Sequence, residues 1–206
     1  KQAKKYTKKI STEVYGVINL EKLYDYKHSF GFFAHQLSYP KKLDLHRSHI
    51  EDTFDLAHPA YEHVKLYFSL MQNPNLDDVK ELYTETFDFQ KDCTLFMTYF
   101  KFEDAKERGQ MLAKLKVLYE MFGLGMPEEE LSDFLPLMCE FLYAAEWIGD
   151  PRAPESFGML IAVLEDGTYH LLNSLKKSES PYFHLVKGLR ETFKVCIEQG
   201  APAQHG

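Results

Sequence analysis

The run from Tyr83 to Phe122, YTETFDFQKDCTLFMTYFKFEDAKERGQMLAKLKVLYEMF, is the densest aromatic stretch in the chain, with charges set between the rings at intervals. Its second half has helical spacing. Met111, Leu112, Leu115, Leu118, Tyr119 and Phe122 fall on one stripe, and Lys114, Lys116 and Glu120 lie off it. Glu103 and Asp104 stand where a helix N-terminus favours anions, and Gly123 follows as a stop. In the first half, Phe87, Phe89, Phe96, Tyr99, Phe100 and Phe102 are too many rings to face one core layer, and Glu85, Asp88, Asp92 and Lys101 alternate with them. Either two buried layers meet here, or some of the rings line a groove.

Elsewhere the same periodicity recurs. Asn19 reads as an N-cap for a helix whose stripe runs from Leu20 to Leu37 and stops at Tyr39-Pro40. Residues 41 to 57 are polar and broken. His58-Pro59 places proline at the first position of a second helix, and Leu76, Val79, Leu82, Tyr83 and Phe87 form the next stripe. Pro127 with Glu128, Glu129 and Glu130 predicts a short helical turn, and Asp133 a cap for a largely apolar helix over residues 134–147. A helix from about Glu155 to Leu164 is expected to break near Gly167, and Ser180-Pro181 opens the last helix. Alternating strand patterns are missing and β-branched residues are sparse. The fold class read from this is all-α: a single-domain helical bundle of about eight or more helices. It is expected over residues 17–199, after a basic extension at 1–16 expected to be disordered and before a frayed tail at 200–206.

A chain of 206 residues can bury roughly 70% of the surface its unfolded form exposes, so no covalent staple is needed. Cys93, Cys139 and Cys196 sit in apolar contexts, with no CxxC or zinc-type spacing, and read as reduced core residues of a cytoplasmic protein. No apolar run approaches the ~20 residues that span a bilayer. The whole chain carries −7, and its first 16 residues, five lysines against Glu13, carry +4; the remainder is therefore at −11. An acidic body whose arginines are Arg47, Arg108, Arg152 and Arg190 argues against nucleic acid and suits a basic partner.

Motifs for catalysis are missing. A di-iron bundle needs paired Glu-x-x-His motifs, and the nearest approach, Asp55 to His58, falls in an expected loop. No HExxH, GxSxG, GxGxxG or phosphate-cradling loop occurs, so no metal site is assigned. Glu85 and Asp88, three apart, could serve as a carboxylate pair, cap Arg108 or Lys91, or present negative charge to a ligand.

The segments TETFDF (Thr84 to Phe89), AKERGQ (Ala105 to Gln110) and DFLPLMCEFL (Asp133 to Leu142) closely resemble the assembly chaperones of the respiratory nitrate reductase delta-subunit family, of the NarJ/TorD type. The resemblance spans roughly residues 18 to 193. It implies a cytoplasmic chaperone rather than an enzyme. Such a protein binds the basic N-terminal segment of the nitrate reductase catalytic (alpha) subunit as an amphipathic helix. It holds no cofactor stably, and its client receives a molybdenum bis-guanine-dinucleotide cofactor. On that resemblance the expected peptide site comprises Tyr83, Phe87, Phe96, Tyr99 and Phe100 as apolar lining, Glu85, Asp88, Asp92 and Glu140 as acidic rim, and Arg108 beside them. A molybdenum-cofactor carrier and a generic helical adaptor for a basic partner remain the alternatives.

Overall fold

The Asn19 side-chain oxygen accepts from the Lys22 amide at 2.9 Å, capping the first helix as expected. The computed structural model describes residues 18–43, 45–102 and 104–197; the expected N-terminal extension, the C-terminal tail and Glu103 lie outside them. Among the described residues nine α-helices follow one another: α1 (Leu20–Asp25), α2 (Lys27–Leu37), α3 (Arg47–Thr53), α4 (Tyr61–Leu70), α5 (Leu76–Phe87), α6 (Ala105–Met121), α7 (Leu135–Ala144), α8 (Ala153–Lys177) and α9 (Tyr182–Cys196). One 3-10 turn, Lys91–Cys93, lies between α5 and α6. They contain no strand, only isolated antiparallel bridges joining Ile18 to Ile197 and Phe96 to Phe134. The protein is all-α.

The closest helix pairings are α2 with α7, α4 with α9 and α8 with α9. Two of them use a glycine where a side chain would crowd its neighbour. A Cβ on Gly31 would stand 3.0 Å from the Tyr143 ring, and one on Gly188 would stand 3.2 Å from the Ala60 Cβ. Phe157 of α8 anchors the core, with ring contacts to Trp147, Phe122 and Phe141 at 4.9, 5.5 and 5.7 Å. All three cysteines are free and buried.

Several elements depart from the sequence expectation for local reasons. The first helix is divided at Tyr26, whose carbonyl accepts both the amide and the hydroxyl of Ser29, a bonding pattern that competes with helix propagation. The stretch expected to be broken contains α3, which rests on buried Ile50 and an Arg47–Glu51 pair one turn apart. Pro59 precedes α4 rather than starting it, because His58 Nδ1 accepts the Ala60 amide at 3.0 Å and closes a turn there. Glu128 to Glu130 form a turn, not a helix. Asp133 does not cap α7; its carboxylate points elsewhere, as described below, and α7 ends before Trp147, whose indole donates to the Leu20 carbonyl at 3.2 Å. Gly167 does not break α8, which runs unbroken through it.

Candidate functional site

Two of the segments that carry the family likeness, through Arg108 and Asp133, meet Thr98 at one buried polar node. Asp133 Oδ2 accepts the Thr98 amide at 3.0 Å, the Thr98 hydroxyl, and Arg108 Nη2 at 3.3 Å. Arg108 Nε donates in turn to Thr98 Oγ1 at 3.0 Å. Asp133 is fully buried, and its second oxygen, Oδ1, has no hydrogen-bond partner. The backbone reinforces the node: Met97 N donates to Asp133 O at 2.9 Å and Leu135 N to Leu95 O at 2.8 Å. Tyr119 Oη donates to the Ser132 carbonyl at 2.6 Å, tying α6 to the same segment. A buried carboxylate with a single arginine partner needs every remaining bond it can make. Its chemistry is therefore structural: it fixes residues 95–98 against the start of α7.

From that anchor, residues 93–101 run back along α8. The 3-10 turn packs on α8, and the Cys93 thiol, whose pKa burial raises, donates to Gln90 Oε1 at 3.5 Å. Further on, the Met97 backbone lies against Gly167, the Phe100 ring meets His170 at 5.6 Å, and Lys101 pairs with Asp166 at 3.5 Å. This path leaves Tyr99 and Phe100 on the surface, 49% and 42% exposed.

The other expected residues divide by helix face. On α5, Tyr83 and Phe87 point inward: Tyr83 Oη donates to the Leu37 carbonyl at 3.2 Å, and Phe87 packs on Tyr182 with centroids 4.8 Å apart. Their rings are core. Burial raises the Tyr83 pKa, followed in size by Tyr182, Asp88 and Glu130. The opposite face of α5 exposes Asp78, Glu81, Glu85 and Asp88, an acidic stripe at helical spacing about 15 Å long. Beyond it come Phe89, 77% exposed, and exposed Asp92 on the 3-10 turn. Phe96 is half-buried against Phe134 at 5.5 Å, and Arg108 is taken up by the node. Glu140 sits apart, exposed on α7 where that helix borders α2.

Glu140 is the one expected site residue that lines either of two adjoining cavities along α2. The first, about 560 Å³, lies between α2 and α7 and includes His28, His35 and His46. The second, about 380 Å³, has an apolar floor of Tyr67, Met71, Val79 and Tyr182 beneath Lys41 and Lys42. His35, Gln36 and Ser38 border both.

Sequence reasoning missed Asp78 and Glu81 as neighbours of the expected rim. Both were legible as i, i+3, i+7 and i+10 partners with Glu85 and Asp88. Among the described residues, no group of three or more His, Cys, Asp and Glu side chains is arranged to hold a metal ion, and no helix is long and apolar enough to cross a membrane.

Fold and surface define an all-helical protein with an acidic helix face leading to exposed aromatic rings. The chain belongs to the nitrate reductase delta subunit family, whose model matches residues 55–185. It is 48% identical over 127 residues to the Bacillus subtilis protein named "Probable nitrate reductase molybdenum cofactor assembly chaperone NarJ", a match covering 57% of this chain and 65% of that one. It is 30% identical over 121 residues to the Escherichia coli protein named "Probable nitrate reductase molybdenum cofactor assembly chaperone NarW", covering 59% of this chain and 49% of the other. A Mycobacterium tuberculosis nitrate reductase-like protein, NarX, is 28% identical over 110 residues, which are 53% of this chain and 16% of NarX. The chain thus spans less than two thirds of the length of these relatives.

Proposed function

We propose that this chain is a cytoplasmic assembly chaperone for a nitrate reductase. It binds the basic N-terminal segment of the catalytic (alpha) subunit, holding that subunit competent while the molybdenum bis-guanine-dinucleotide cofactor is inserted. It then leaves before the enzyme attaches to the membrane. The observation that carries this reading is the acidic stripe of α5, Asp78, Glu81, Glu85 and Asp88, ending beside exposed Phe89 and followed by Asp92. A stripe of about 15 Å matches about ten residues of helix. It offers one carboxylate per turn to a basic amphipathic partner. The relatives named as cofactor assembly chaperones supply the biological setting.

Magnitudes favour a site that combines charge with apolar contact. Three buried apolar anchors contribute roughly 5–9 kcal/mol gross. Ordering a disordered peptide removes about 2–5 kcal/mol of that. The remainder alone is weak binding, so the carboxylates must add on-rate and selectivity. The test is calorimetric titration with a synthetic peptide of the first ~15 residues of the cognate catalytic subunit, at low and high salt. Micromolar or tighter binding that weakens with salt is expected. No heat at either salt would transfer the argument to the cofactor-carrier alternative.

A further inference from the structure

Four exposed aromatic rings from two separate parts of the chain form a continuous ladder. Tyr99 meets Phe100 at 5.0 Å, Phe100 meets His170 at 5.6 Å, and His170 meets Tyr169 at 5.7 Å between centroids. Tyr169 is 55% exposed, more than either ring of the 97–101 turn. Single exposed rings are ordinary on protein surfaces, but contiguous ones mark interaction sites, and aromatic residues dominate the energetics of such sites. The ladder is also held rigid. Tyr169 and His170 sit within a 25-residue helix, and the opposing turn is pinned by the Thr98–Asp133 bonds and by Met97 seated on Gly167. Rigid rings lose little entropy on binding.

Electrostatics select the occupant. Two cations beside the ladder are already engaged: Lys101, next to Phe100 in the chain, by Asp166 at 3.5 Å, and Arg190 by Glu165 at 3.2 Å. The Arg190 guanidinium also lies 5.8 Å from the Tyr169 ring centre, so this ring accommodates a cation against its π-system. Exposed Asp104 follows the Tyr99–Phe100 turn in the chain, and Asp92 precedes it. Resting on the peptide-binding reading above, we propose that Tyr169 and His170 of α8 are binding residues. With Tyr99 and Phe100 they form a platform on which apolar and cationic side chains of the client's basic segment stack.

The experiment is calorimetric titration of the full chain and of Tyr169→Ala, His170→Ala and Tyr99→Ala with the same synthetic ~15-residue peptide, alongside Val117→Ala, an exposed apolar truncation on α6. The ring variants remove solvent-facing groups, so their far-UV spectra and unfolding midpoints should match the parent's. Tyr169→Ala and Tyr99→Ala are each expected to weaken binding about tenfold, with a smaller loss for His170→Ala and none for Val117→Ala. If the parent binds and all three ring variants stay within about twofold of it, the platform is overturned and the chaperone reading survives. If the parent itself does not bind, the reading falls and takes the platform with it.

Discussion

The Met97 carbonyl oxygen lies 2.6 Å from where a Cβ on Gly167 would stand, and the Met97 Cα lies 2.7 Å from the same point. No side chain fits at that crossing without moving backbone, which explains a glycine in the middle of an uninterrupted helix. Gly167→Ala should therefore destabilise the protein by about 1–3 kcal/mol despite alanine's better helix propensity. Gly158, on the same helix, has nothing within 4 Å of its absent Cβ. Gly158→Ala should stabilise by up to ~1 kcal/mol. Urea unfolding of the two variants checks the pair, and equal midpoints would refute the close approach.

A second expectation concerns Arg108 and Asp133. Removing the arginine leaves a fully buried carboxylate bonded only through Thr98, with its other oxygen already unpartnered. Breaking a buried pair from one side costs about 3–5 kcal/mol, and Arg108→Ala should fall near the lower bound because the guanidinium is a quarter exposed. Asp133→Asn should also destabilise. The double variant should lose less than the sum of the two, by a coupling energy of roughly 1–3 kcal/mol. Strict additivity in a urea-denaturation cycle would show that the two residues do not act as a unit.

Helical periodicity placed most of the helices, and the cap residue Asn19 marks a start that the structure keeps. Local chemistry misled where a residue's partner lies far along the chain. Asp133 has the spacing of a helix cap but serves Thr98, 35 positions away, and Gly167 reads as a breaker until Met97 is laid across it. The candidate surface divided the same way. That Glu85 and Asp88 share a face with Asp78 and Glu81 follows from 3.6 residues per turn. Which rings face outward does not follow: Tyr83 is buried and Tyr99 exposed, a difference that only tertiary packing makes. The contribution of α8 to the aromatic surface had no sequence signal, because Tyr169 and His170 lie far along the chain from Phe100.

Partly buried histidines set an acid-stability window. His58 is packed between Tyr26 at 4.9 Å and Phe54 at 4.7 Å, and its Nδ1 is occupied as an acceptor. Burial, opposed by Asp55, lowers its pKa from 6.5 to about 4. Burial likewise lowers His63 and His184, whose rings stack across the α4–α9 contact. With folded values below unfolded ones, the unfolded chain takes up protons first as pH falls. Stability is therefore full above pH 6.5 and should decline from there towards about 4, where His58 itself protonates. Glu146, Asp150 and Glu191 are held below the usual carboxylate range, mainly by bonds from Lys27, Arg152 and Lys187 respectively. Their contribution fades only at lower pH, below about 4.5. Unfolding midpoints measured in steps between pH 7.5 and 4.5, roughly the span from neutral His to carboxylate titration, should fall steadily; a flat profile would remove these histidines from the account.

The acidic stripe yields the last expectation. Asp88 is exposed at the C-terminal end of α5, where the helix dipole is unfavourable to a carboxylate, so no folding advantage explains its place. Asp88→Lys puts a cation where the dipole prefers one and reverses the charge of the stripe next to Phe89. Helicity and thermal stability should hold or rise slightly. Binding of the basic peptide should weaken about tenfold at low salt, through slower association and through loss of one favourable contact replaced by a repulsive one. At high salt parent and variant should converge, because an exposed charge is screened beyond ~3 Å at 1 M ionic strength. A core or groove defect would weaken binding equally at both salts, so the salt dependence separates a rim carboxylate from a structural one. Equal binding by parent and Asp88→Lys at low salt would place the peptide away from α5.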